Sequence, residues 1–114
     1  MSTAQTYNLS GDQGSTFVFG CQWIQDDVGV DLTNWSGKMQ VRQNYNCTGV
    51  AAEASTENGL MSLSSSGTIV INLLSDQTSG LNSRNYVYDI DLSSGDFVRT
   101  LLKGNFLVFP EVTK

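Results

Sequence analysis

Apolar residues alternate with polar or small ones along most of this chain, the period of half-buried β-strands. Phe17, Phe19, Cys21 and Trp23 share one face of an extended run, and Val18, Gly20 and Gln22 share the other. Met39 and Val41 fall together within residues 37–43, and Ile69, Ile71 and Leu73 do so after the turn signal at 64–67. In residues 85–92 the pattern turns Tyr86, Tyr88, Ile90 and Leu92 inward and Val87, Asp89 and Asp91 outward. A long last strand covers residues 96–109, with Gly104 expected to mark a bulge or bend inside it. Trp23 continues the inward face of its strand, so it and Tyr88 are expected in the core.

Turn-forming residues interrupt these runs at 11–14, 26–29, 58–59, 66–67 and 93–96, where side chains tolerate positive φ or bond their own backbone. The one helical cue is residues 75–81: Ser75 suits a cap, Asp76 suits a first turn and Gly80 stops the helix. Residues 43–57 are the least patterned and read as a polar edge strand or loop. The chain therefore reads as one domain over residues 1–114, an all-β sandwich of about seven to nine antiparallel strands with one short helical turn. Tyr86-Val-Tyr88, following that turn at a strand start, matches the corner where immunoglobulin-like folds anchor a tyrosine hydroxyl to upstream backbone. That sharpens the expectation to an immunoglobulin-like β-sandwich, although aromatics suit the core of any sandwich.

Charge narrows the function. Six Lys and Arg stand against eleven Asp and Glu, for a net charge of −5. The cations Lys38, Arg42, Arg84, Arg99, Lys103 and Lys114 are scattered, whereas nucleic-acid binding relies on a clustered positive face. Histidine is absent, which removes the commonest general base and metal ligand. No apolar stretch is long enough to cross a membrane. Residues 1–6 lack a basic region followed by an apolar one, so no secretory signal is expected. Cys21 and Cys47 are then expected to be reduced, Cys21 in the core and Cys47 near the surface.

Candidate chemistry is sparse. Asp26, Asp27 and Asp31 lack the ligand spacing and closing glutamate of a calcium loop, and a solvated turn accounts for them. Asp89 and Asp91 form a carboxylate pair of the kind acid–base catalysis uses, but outward strand positions are polar for solubility alone. The triplets at Asn8, Asn34 and Asn46 fit the glycosylation pattern and carry no weight without an export signal. No glycine-rich phosphate loop is present, and neither cysteine has a histidine base. The expectation is a non-enzyme without cofactor or metal. Trp35, in a turn-like setting between Thr33 and Gly37, is the aromatic assigned to a possible interface; capping one end of the core is its other reading.

A series of short motifs resembles small virion proteins of tailed bacteriophages. It begins with Tyr7-Asn-Leu9, Asp12-Gln-Gly14 with Phe17, and Trp23, and continues through Gly29, residues 30–33 and Trp35 into residues 39–42. It resumes at residues 67–69 with Ile71, then Gln77-Thr78, residues 88–90, Arg99, Leu101-Leu102, Gly104 and residues 110–113. Residues 43–60 match nothing, and the cysteines lie outside the pattern. The resemblance implies a structural role on an assembled particle and a fold similar to the immunoglobulin-like modules that begin phage baseplate upper proteins. On that basis the expected function is an accessory virion module of the tail, neck or baseplate that connects or stiffens components, with fibre attachment one form of it. It would be assembled in the host cytoplasm and held by other virion proteins in multiple, symmetric copies, without nucleic acid or membrane. A capsid decoration protein is the alternative, and a carbohydrate-binding module using Trp35 or Tyr45 is a third reading. Contact is expected through strand edges and polar rims, because Pro110 lies beyond the last strand and few cations guard the edges.

Overall fold

The computed structural model describes residues 5–46, 49–81 and 85–110. In order, the strands are β1 (Gln5–Thr6), β2 (Leu9–Asp12), β3 (Phe17–Gln22), β4 (Ile24–Gln25), β5 (Val28–Gly29) and β6 (Ser36–Arg42). They continue with β7 (Ala52–Ser55), β8 (Met61–Leu63), β9 (Thr68–Leu73), the helix α1 (Ser75–Ser79), β10 (Asn85–Ser94) and β11 (Phe97–Phe109). One sheet runs β1–β11–β10–β6–β7, with β2 also on β11; the other runs β3–β9–β8. β4 and β5 form a separate hairpin.

This order defines an immunoglobulin-like β-sandwich, in which hairpin-related strands divide between two facing sheets. Two features depart from the sequence reading. The strands are more numerous than expected, because β1, β4 and β5 are two residues each, too short to show a period. And β1 and β2 run parallel to β11, pairing Gln5 with Leu102 and Leu9 with Phe106. Both pieces keep one register on β11, on either side of Gly104.

The alternation in the sequence is met in β6, β9 and β10, while on β3 Phe17, Phe19 and Cys21, the last expected in the core, are only half-buried against the core. Met39, Val41, Ile69, Ile71, Leu73, Ile90 and Leu92 are fully buried, and Tyr86, Tyr88 and Trp23 are buried with them in one hydrophobic cluster. The predicted edge element appears as β7, which pairs with β6 and buries Ala52 and Ala54. Antibody domains link their two sheets by a disulfide; β10 carries no cysteine. Cys21 is a free, half-buried thiol whose pKa burial pushes up. Cys47 lies outside the described residues.

Two local expectations are corrected. The irregularity in the last strand is not at Gly104: the register with β10 shifts where Ile90 faces Leu102 and Asp91 faces Thr100, which makes Leu101 the extra residue. Gly104 sits in regular pairing opposite Tyr88, and a Cβ there would lie 2.4 Å from the Tyr7 carbonyl oxygen. It is glycine because the first strand passes against it. Nor does Ser75 cap the helix. Leu74 holds that position, and the Gln77 side chain accepts its backbone N–H (3.3 Å) while donating to the Glu53 carbonyl (2.9 Å). The Tyr88 hydroxyl donates to the Tyr7 carbonyl, backbone far upstream, and so ties β10 to the segment between β1 and β2.

Candidate interaction groove

The Leu101 bulge decides which side chains reach the seam between the sheets. In a strand without a bulge, Arg99 and Leu102 would point to opposite faces. The extra residue reverses the alternation, so that Arg99 lies opposite Leu92 and Leu102 opposite Ile90, both inward partners. Thr100 turns outward, where its hydroxyl donates to Asp91 Oδ1 (2.6 Å). Arg99 is thereby brought over the Trp23 ring, 4.9 Å from its centroid, a cation–π distance. Its Nε is shut from solvent and has no hydrogen-bond acceptor among the described residues.

Around this pair lies an open groove of about 490 Å³. Gln5 and Tyr7 form one wall, residues 19–25 the other, and Arg99, Leu101 and Leu102 the floor of the first sheet. Tyr7 and Phe19 meet across it with ring centroids 5.8 Å apart. Among the described residues Arg99 is the only charged one lining it.

At the head of the groove an aromatic series closes the end of the sandwich. Trp23 meets Trp35 edge-on at 5.5 Å, and Trp35 meets Phe97 edge-on at 5.8 Å. Trp35 is half-buried and packs against the core, so the residue assigned to a possible interface also covers the core's end. Phe97, Val98, Ile24 and Val28 are more than half exposed around it. Sequence reasoning selected Trp35 but missed Trp23 and Phe97 as its neighbours and Arg99 over Trp23. The available signal was the double apolar step Leu101-Leu102, which breaks the alternation of the last strand.

The carboxylates singled out in the sequence lie elsewhere. Asp26 and Asp27 form the two-residue turn between β4 and β5, both at positive φ, as the twist of such hairpins requires. Asp31 accepts from the Thr33 hydroxyl (2.6 Å) and N–H (2.9 Å), bonds that lower its pKa. Among the described residues no three of Cys, Asp and Glu gather into a metal-holding group. Asp89 and Asp91 stand on the outer face of β10, near the linked side chains of Arg42, Gln40 and Glu53. Tyr45 is exposed beside them.

Burial raises the Asp89 pKa; the Asp91 charge adds to the rise and Arg42 opposes it. A carboxyl whose folded pKa is raised stabilises the fold at pH values below its unfolded pKa, and that contribution is lost as pH rises through the folded value. Asp89→Asn is therefore expected to raise the neutral-pH melting temperature and to flatten the stability profile across the acid carboxylate range. A melting temperature lowered at neutral pH would contradict this account.

No protein-family model matches the sequence, and no curated protein matches it. Solved structures of similar course include the extracellular domain of the voltage-gated sodium channel beta4 subunit, described as parallel homodimers that explain its role in cell-cell adhesion. It is 9% identical over 98% of each chain, with a TM-score of 0.45. Murine CRIg is 13% identical over 90% of this chain and 92% of that one, with a TM-score of 0.41. These likenesses concern the course of the chain alone.

Proposed function

We propose that this protein is an accessory structural module of a tailed-bacteriophage particle, held at the tail, neck or baseplate, and that it binds other proteins without catalysing a reaction. The motif series that resembles small phage virion proteins supplies the setting. The observation that carries the binding role is the open groove beside β3, whose outer edge pairs with no strand among the described residues. Such an edge offers backbone donors and acceptors to a neighbouring chain. Repetition by particle symmetry suits contacts of this kind, each weak alone. The carbohydrate reading loses one of its two aromatics, because Trp35 meets two aromatic neighbours edge-on within the end of the core and is no free stacking platform, which leaves the exposed Tyr45.

Gold-labelled antibody against the protein, applied to intact purified particles, tests the proposal. Label at the tail, neck or baseplate is the expected result. Label spread over the head would transfer the protein to the capsid, and absence of the protein from purified particles would overturn the reading.

A further inference from the structure

The groove and the β3 edge together specify the chemistry of their occupant. Trp23 donates its backbone N–H to the Gly67 carbonyl (2.9 Å), on the β9 side. Alternation then turns the backbone groups of Val18, Gly20 and Gln22 to the outer edge. Natural edges are guarded by lysine, proline or a bulge. Residues 15–25 contain no charge and no proline, and the register of β3 on β9 is unbroken.

Into this uncharged setting the Leu101 bulge delivers one cation. Arg99 lines the groove, and its solvent-shielded Nε has no acceptor among the described residues, an arrangement that costs free energy. A carboxylate entering the groove is the group that pairs best with a guanidinium. A second copy laid antiparallel on the same edge brings residues 15–25 to the groove, and they hold no carboxylate.

We infer that the groove receives an extended segment of a different protein, added beside β3 as a further strand, with apolar side chains facing inward and an acidic one at Arg99. This deepens the proposed binding role by naming the partner's chemistry, and it rests on that role.

The test uses the full chain carrying Cys47→Ser, so that Cys21, which lines the groove, is the only thiol. The probes are capped peptides of about nine residues, strand length, alternating Val and Thr, with Glu, Gln or Lys at the centre of the Val face. Two further Glu peptides are N-methylated at alternate residues, one along each edge. Binding is followed by amide NMR shifts and by the rate of Cys21 alkylation. The Glu peptide is expected to bind about tenfold more tightly than the Lys peptide. It should shift the Val18, Gly20 and Gln22 amides most and slow Cys21 alkylation. One of the two N-methylated peptides should lose binding while the other retains it, and Arg99→Gln should level the Glu and Lys peptides.

Equal binding of Glu and Lys peptides, shifts centred on another face, indifference to N-methylation, or no binding by any peptide would overturn the inference. So would a concentration-dependent dimer protecting the same amides, because the occupant would then be a second copy. None of these results bears on where the protein sits in a particle. Conversely, peptide binding as described by a protein absent from particles would remove the phage setting and leave the strand site standing.

Discussion

Replacing Gly29 by alanine is expected to remove a large part of the protein's stability. Gly29 ends β5 where that strand passes under the turn at residues 64–67, and an added Cβ would lie 1.8 Å from the Ser66 carbonyl oxygen. The obstruction is backbone, so no side-chain rotation relieves it. The junction is also tied from several directions: Val30 N–H donates to the Trp23 carbonyl (2.9 Å), Trp23 N–H to the Gly67 carbonyl (2.9 Å), and Gln22 Nε2 to the Ser66 carbonyl (2.9 Å). Opening the crossing for a methyl group breaks part of this set. A loss of about 4 kcal/mol or more belongs to this class of change, against a total stability of about 5–15 kcal/mol for an ordinary domain. Gly59→Ala is the control. Gly59 has φ +82° but nothing within 4 Å of its added Cβ, so it bears only the cost of a left-handed backbone, about 1 kcal/mol. Urea denaturation reads both. Similar midpoints for the two variants would show that the crossing is looser than the structure draws it.

The contrast between these glycines also marks what a sequence conveys. Positions read as turns from local composition were legible: Gly14 and Gly67 both adopt positive φ, although a Cβ at Gly67 would also lie 2.5 Å from the Trp23 carbonyl oxygen. Gly29 and Gly104 looked the same in the sequence, yet their requirement comes from a segment distant in the chain, Ser66 in one case and Tyr7 in the other. Local patterning holds no record of such approaches. The same boundary separates the inward faces of β3, β6, β9 and β10, each set by its own period, from the parallel attachment of β1 and β2 to β11. That attachment depends on which edge the first strand reaches. The groove falls on the illegible side for a related reason. A single inserted residue at Leu101 reverses the face of Arg99, and an alternating reading carried through Gly104 places that cation outside. Trp35 was legible as unusual because its setting is local, whereas its partners Trp23 and Phe97 come from two other strand ends.

The two tryptophans should therefore differ sharply in what they contribute. Trp23 is 7% exposed and stands where core, groove and aromatic series meet. Trp23→Ala is expected to cost about 3–5 kcal/mol, the range for deleting a large aromatic from a packed core. It also removes the ring beneath Arg99, leaving the guanidinium without its apolar cover. Trp35, half-buried at the end of the core with two edge-on ring contacts, should cost about 1–2 kcal/mol when truncated, in proportion to the smaller area it withdraws from water. The double variant should lose less than the sum of the two, because the rings touch and share one contact. Denaturant midpoints with unchanged slopes would establish the order. A Trp35→Ala variant as damaged as Trp23→Ala would make Trp35 a full core member and move the reactive surface of this end to Phe97 and the β4–β5 hairpin. A Trp23→Ala variant losing under about 1 kcal/mol, the mean for any substitution, would remove the seam as the place where the two sheets are locked.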